Sequence, residues 1–270
     1  MANGYEKLEK LRLETEKFLC ESGSLSFSGR NESDEKFSIG LNGHLNFDSS
    51  FSDQKYRNKW GELFIDATKT FAYQKTAIDA MVGIGRSGTV ISLTTGAISQ
   101  HLQEENNLEL KSYRWAGVDN SGEFIGQIND GDKICVIDEC LITGNSIIEG
   151  IGRLYTKFDN LSFPLVIVAL DVGLADNKQY YVEAVRESIK SKFNRGNEVK
   201  IESITSIEEL LCDMEHDEEL TQCCKKIAID KSDLKLYLED QRNIVGKGYL
   251  EKIKPGLHAK FYPKKEEPTT

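Results

Sequence analysis

No apolar run in this 270-residue chain approaches the ~18 residues a membrane-spanning helix needs. Basic residues are in deficit, 34 Lys and Arg against 44 Asp and Glu, and the net charge of -10 argues against a general nucleic-acid binder. No C-x-x-C pair exists among the six cysteines, Cys20, Cys135, Cys140, Cys212, Cys223 and Cys224. Cys223 and Cys224 with His216 match no standard zinc spacing, so the reading is small buried residues. No G-K-[ST] is present, which excludes a Walker loop. There is no internal repeat and no low-complexity linker. The opening stretch to Leu19 reads as a charged amphipathic helix and not as a signal peptide, so the expected location is cytoplasmic with reduced thiols. The length suits one large domain or two small ones.

The stretch from Lys133 to Gly150 is the most informative. Ile134, Cys135, Val136 and Ile137 form a short apolar run, as in a strand buried on both faces. It ends in two acids, Asp138 and Glu139. Thr143, Gly144, Asn145 and Ser146 follow, and then Ile147, Ile148, Ile151, Leu154, Tyr155 and Phe158 repeat at helical spacing. A Thr-Gly-Asn-Ser loop at a helix start offers backbone N–H groups, hydroxyls and the positive end of the helix dipole, which suit a phosphate monoester. Two carboxylates beside it can accept hydrogen bonds from vicinal sugar hydroxyls and help hold a hydrated Mg²⁺. Together these point to a ribose 5-phosphate.

This run resembles the phosphoribosyl pyrophosphate signature of the type I phosphoribosyltransferases. Asp138, Glu139, Thr143, Gly144 and Ser146 fill the signature positions, with Glu139 where Asp is usual. The resemblance implies a Mg²⁺ cofactor, phosphoribosyl pyrophosphate and a nucleobase or nucleotide as ligands, and a homodimer.

Upstream, residues 5–20 read as a helix and residues 52–78 as a long one. Met81, Val82 and Ile84 make a buried strand leading into Gly85-Arg86-Ser87-Gly88. A glycine-bracketed turn lets amides approach an anion, and Arg86 adds charge; the equivalent loop of the family holds pyrophosphate. The same glycines, with Gly83, spell a dinucleotide loop, but no ribose-binding acid is seen ending the next strand, placed at Leu108–Tyr113. Residues 24–50, rich in Ser, Gly and Asn, read as small antiparallel strands. They resemble the N-terminal hood of the orotate phosphoribosyltransferases, with Ser28-Gly29-Arg30 and Phe37 at the matching positions.

Arg114 to Asp132 reads as a Gly-rich polar loop resembling the mobile catalytic loop of the orotate enzymes. Arg114 is retained, Trp115 and Val118 stand where the family has lysines, and Asp119-Asn120 stands for Asp-His. Pro164 opens a fourth strand ending at Asp171, where Val172 replaces the family's arginine. A helix at 176–192, a strand at 198–204 and a helix capped by Thr205 or Ser206 follow. The tail from Gly246 is basic and reads as an appendage.

The expected fold is α/β, a parallel sheet flanked by helices with a small N-terminal hood, with ligand at the carboxyl ends of the strands. The expected division is residues 1–230, with the hood at about 20–55 and the core at about 56–215, then an extension over 231–270. The resemblance implies transfer of ribose 5-phosphate to a base. Asp138, Glu139, Arg114 and Asp119 would be catalytic. Thr143 to Ser146, Gly85 to Gly88, Arg30, Phe37 and Asp171 would bind substrate. The base is not expected to be orotate, since Phe27, Trp115, Val118 and Val172 replace cationic positions. The alternative is a silent sensor of phosphoribosyl pyrophosphate or a nucleotide, favoured by the missing loop lysines.

Overall fold

Short runs apolar on both sides, alternating with helical periodicity, need helices on both faces of a parallel sheet. The computed structural model has that architecture. It describes residues 2–22, 24, 47–71, 78–106, 113–119, 121–141, 144–171, 175–206, 209–210 and 213. The order is α1 (Ala2–Glu21), α2 (Phe47–Ser52), α3 (Gln54–Phe71), β1 (Ala80–Ile84), α4 (Gly85–Asn106), β2 (Arg114–Val118), β3 (Phe124–Gly126), β4 (Lys133–Leu141), α5 (Asn145–Tyr155), β5 (Ser162–Asp171), α6 (Ala175–Lys192) and β6 (Lys200–Ser206). The six strands form one sheet, β3-β2-β1-β4-β5-β6, parallel except for β3, which runs antiparallel to β2.

Alternation along β4 divides the core. Cys135 and Ile137 join Trp60, Phe64, Met81 and Ile91 under α1, α3 and α4. Ile134 and Val136 join Ile147, Ile151, Leu154 and Val185 under α5 and α6. Each fully buried side chain of this size contributes roughly 1.5–3 kcal/mol. Trp60 meets Phe18 edge-on at 4.9 Å and donates its ring N–H to Ser50 Oγ at 3.0 Å, so its one polar atom is satisfied.

Several boundaries differ from expectation. The helix placed at 52–78 ends at Phe71, and Asp53 separates it from α2. Asp53 accepts from the Lys55 amide at 2.7 Å and so caps α3. The loop expected at Gly85–Gly88 is already the first turn of α4. Of the strand expected at Leu108–Tyr113, residues 108–112 are outside the described residues; β2 occupies Arg114–Val118, inside the stretch read as a mobile loop. Ala116, Gly117 and Val118 are buried, and their neighbours' polarity hid a short strand. Pro164 is the third residue of β5, where the register against β4 shifts between Lys133 and Cys135. The Phe163 amide turns instead to Asn194 Oδ1 at 2.7 Å. Ser206 is the cap of the two alternatives. It accepts from the Glu209 amide at 3.2 Å and donates to Glu209 Oε2 at 2.8 Å.

Cys20 is disulfide-bonded, which corrects the expectation that every thiol is reduced. Cys135 and Cys140 are free thiols, so its partner lies outside the described residues. Among the described residues no helix is long and apolar enough to cross a membrane. The hood strands at 24–50 and the extension over 231–270 lie outside the described residues, apart from Ser24 and the start of α2.

Thr205 is engaged elsewhere, donating to Glu16 Oε1 at 2.5 Å from the end of β6. Glu16 is fully buried on α1, also receives Arg12 at 2.9 Å, and keeps Oε2 without a partner. Arg12 is shared with Glu9 and Asp213. Burial pushes the Glu16 carboxyl up to about 7, against the smaller opposing effects of Thr205 and Arg12. Its folded value therefore lies above the ordinary ~4.3, so stability is full below that pH and is lost as pH rises through about 7. Glu16→Gln removes this titration. Thermal melts at pH 5 and pH 8 should show the variant gaining on the parent at the higher pH; a difference that stays constant with pH would contradict the assignment.

Candidate functional site

In a parallel sheet with helical crossovers, the carboxyl edge collects the loops that enter helices. Here the edge carries the ends of β1, β2, β4, β5 and β6. β4 is long enough to bring Asp138 and Glu139 to it, and the first turns of α4 and α5 close over them.

Gly144 precedes α5 in the left-handed region, φ 72°, and no side chain caps that helix. A Cβ there would stand 2.1 Å from Val185 Cγ2, so the position needs glycine twice over. The start of α5 is thus left to its backbone amides and to Ser146, the arrangement that suits an anion. Ser146 donates to Asp138 Oδ2 at 3.2 Å, tying the helix start to the strand tip.

Asp138 is 4% exposed. Its Oδ1 accepts from the Glu139 amide at 3.0 Å. The first turn of α4 lies over it: a Cβ on Gly88 would stand 2.8 Å from the Ile137 carbonyl and 3.3 Å from Asp138 Oδ1. Gly83 permits the same closeness from β1, since a Cβ there would fall 1.9 Å from the Gly88 carbonyl. Burial, then the charge of Glu139 and a hydrogen bond to its side chain, push the Asp138 carboxyl well above the usual carboxylate range. Glu139 is half-buried, and its Oε2 is enclosed without a partner. The Cys140 thiol is pushed up by burial and by the charges of Glu139 and Asp138, so it is held as the unreactive thiol.

Arg86 and Ser87 sit in the first turn of α4, Arg86 exposed and Ser87 half-buried. Asp171 ends β5, buried, level with Leu141 and Ser206. Asp119 follows Val118 at the end of β2, beside the start of α4 through the Ile84–Val118 pairing. An acid thus does end the strand after the glycine loop, against the reading from sequence. Its carboxylate is folded back into the β2–β3 turn. Oδ1 accepts from Ser121 Oγ at 2.6 Å and the Glu123 amide at 2.8 Å. The Ser121 bond holds it below the usual range.

The structure separates Arg114 from this group. It opens β2 at the opposite edge of the sheet, four residues or about 13 Å from Val118, and pairs with Asp132 at 2.5 Å. Its placement on a mobile loop over the site is corrected. Trp115 packs against Gly96, and Val118 is 1% exposed in the core. Thr143, Arg30 and Phe37 lie outside the described residues.

Two cations that the motif reading passed over hold the hairpin down. Arg153 of α5 donates to the Asp119 carbonyl at 2.8 Å, and Lys157 donates to the Gly122 carbonyl at 2.8 Å. Arg153 lies in the last turn of α5 and Lys157 just past its C-cap Thr156, and cations at a helix C-terminus were the available signal.

Two carboxylates, one with an orphaned buried oxygen, are hard donors that fit a Mg²⁺ keeping most of its waters and sharing substrate oxygens. Among the described residues no three His, Cys, Asp or Glu side chains gather into a closed metal cage.

No protein-family model and no curated protein matches this chain. Solved structures do. The orotate phosphoribosyltransferase of Francisella tularensis superposes with a TM-score of 0.52 at 15% identity, over 77% of this chain and 94% of that one. The UMP synthase of Leishmania donovani gives 0.51 at 15% identity, over 87% of this chain but only 42% of that one. At these identities the likeness shows the fold: an α/β type I phosphoribosyltransferase fold with a mostly parallel six-stranded sheet.

Gly144→Ala should destabilise the chain by about 2–5 kcal/mol, the sum of a left-handed backbone cost and an overpacked contact. Adding Val185→Ala should return the contact part and leave the backbone part. Chemical denaturation of the four-member cycle measures the coupling; additive losses would show that Val185 does not confine this turn.

Proposed function

We propose that this chain, which carries the fold of the orotate phosphoribosyltransferases, binds phosphoribosyl pyrophosphate with Mg²⁺ and transfers its ribose 5-phosphate to a nitrogenous base other than orotate. The observation that carries this reading is the uncapped start of α5, with Gly144 in the left-handed region, next to a buried acid pair with an unsatisfied oxygen.

In this reading the 5-phosphate rests on the amides of Asn145 and Ser146, with the Ser146 hydroxyl and Thr143 beside it. The acid pair Asp138–Glu139 accepts from the ribose hydroxyls. The first turn of α4, Gly85 to Gly88, receives the pyrophosphate, with Arg86 adding charge. Asp138 and Glu139 would help hold a Mg²⁺, which would supply positive charge against the phosphates. The bond from C1 to the pyrophosphate oxygen breaks while a base nitrogen bonds to C1. Positive charge grows on the sugar meanwhile, and the carboxylates offset it in a site that excludes water. Asp119 and Asp171 line the same edge. Arg30 and Phe37 of the hood are proposed to meet the base, and the chain to pair as a homodimer in the cytoplasm. Arg114 takes no part, because it lies at the far edge.

Orotate brings a carboxylate that loses water on entering a closed pocket, and without a cationic partner that loss is costly. From Trp115 to Asp132 the chain contains no Lys or Arg. This favours a neutral base, and it also supports a second reading, a protein that binds phosphoribosyl pyrophosphate without turnover. The clamped β2–β3 hairpin is the specific observation behind that alternative.

Calorimetry with phosphoribosyl pyrophosphate and Mg²⁺ should show one site, and ligand at about a hundredfold over Kd should add ~2.7 kcal/mol to unfolding. No heat at millimolar ligand would end both readings. Steady-state pyrophosphate release with orotate, uracil, adenine, guanine and hypoxanthine then separates them. Turnover of a base other than orotate supports the transferase, binding without release on any base supports the sensor, and preferred turnover of orotate would overturn the specificity argument.

A further inference from the structure

The two halves of α1 are held to the body in different ways. The last turn is apolar: Phe18, Leu19 and Cys20 all join the core, Phe18 packs edge-on against Trp60, and Cys20 is disulfide-bonded. Ahead of Glu16, among the described residues, only Leu11 joins that core, and Leu13 faces solvent. The seat of this half is polar. Glu16 is wholly buried. Its Oε1 accepts from Thr205 of β6 at 2.5 Å and from Arg12 at 2.9 Å, and its Oε2 is enclosed with no hydrogen-bond partner. Arg12 is claimed again by Glu9 on α1 and by Asp213 beyond β6, so three carboxylates share one guanidinium. On α3, which also packs against α1, Lys59 turns to Glu14 at 3.4 Å and to Glu62 at 3.7 Å. Beyond β6, Glu209 is held by Ser206.

An enclosed carboxyl oxygen with no donor is far more costly charged than neutral, and further carboxylates at the same guanidinium act in the same direction. We propose that α1 as far as Glu16 is a proton-dependent clasp: with Glu16 neutral it is seated on Thr205 and Asp213, and loss of that proton to water opens it from β6 while the last turn and the sheet stay in place. The inference stands on this cluster and is independent of the phosphoribosyl reading. Thr205 and Ser206 are in register with Leu170 and Asp171, so the clasp closes on the strand whose end borders the candidate site. Burial, the largest influence, brings the acid up to about 7. In the opened helix it returns to the ordinary ~4.3. The closed form is therefore favoured most at acid pH and loses its advantage as pH rises to about 7. Opening this half exposes little apolar surface, which is what allows it to part without the rest of the fold.

Amide hydrogen exchange of the full chain, read by mass spectrometry between pH 5.5 and pH 8, tests this. Glu16→Gln is the reference, since it keeps the shape of the side chain and has no proton to lose. Relative to that variant, the opening constant of α1 up to Glu16 should rise roughly 30-fold across the range, the factor set by about 7 in the closed form and ~4.3 in the open one. The same amides should exchange through a smaller opening than those of β1 and β4 at every pH. Two further variants fix the sign. The Thr205 hydroxyl favours the ionised acid, so Thr205→Val should move the pH at which the rise levels off upward. The Asp213 charge opposes ionisation, so Asp213→Asn should move it downward. An α1 protected as strongly as β4 up to Glu16, an identical pH course in Glu16→Gln, or shifts of the two further variants that are absent or share one direction would each overturn the proposal. If Glu16→Gln does not fold, the opposite shifts of Thr205→Val and Asp213→Asn against the parent carry the test.

Discussion

Asp138 is a carboxyl group taken out of water where β4 and the starts of α4 and α5 meet, and the geometry of the carboxyl edge follows from how it is satisfied. Removing such a group from solvent is expensive unless donors replace the lost water. The Glu139 amide and the Ser146 hydroxyl supply them. Those same two bonds fix the tip of the strand against the first turn of the next helix. The glycines at 83, 88 and 144 are the steric condition for this meeting, since each stands where a side chain would collide with a neighbour.

From this constraint the rest of the site takes its shape. With Ser146 turned to Asp138 and Gly144 left-handed, no side chain caps α5, and the positive end of its dipole lies at the carboxyl edge. Glu139 is left with an oxygen that has no partner. A polar atom enclosed without a donor and a helix start without a side-chain cap stand side by side at this edge, and the proposed function rests on that pairing. The hairpin from Arg114 to Gly126 contributes differently. Two of its carbonyls are held by Arg153 of α5 and by Lys157 just beyond the end of that helix, so the segment that follows the Asp138–Ser146 contact also fixes the wall beside it.

The carboxyl-edge site was legible in the sequence because its signals are local. An apolar run, two acids and a Thr-Gly-x-Ser turn lie within one strand and one helix start, so spacing alone places Asp138, Glu139, Gly144 and Ser146 together. Strands β1, β4 and β5 and the helices that follow them were legible for the same reason. What failed depends on contacts distant in the chain. Arg114 looked like a loop cation, but its strand register and its pairing with Asp132 put it at the amino edge. Asp119 was read as a loop acid, and the local turn that engages its Oδ1 was not visible in the sequence. The buried Glu16, which meets Thr205 across 189 positions of sequence, left no local mark at all. Nor did the sequence distinguish Asp138 from Glu139, since burial is set by where α4 lands.

A co-crystal structure with ribose 5-phosphate and Mg²⁺ tests the central claim most directly. The account predicts phosphate oxygens about 2.7–3.1 Å from the amides at the start of α5, with a ribose hydroxyl donating to Glu139. Phosphate bound elsewhere, or a sugar whose hydroxyls face away from the tip of β4, would contradict it.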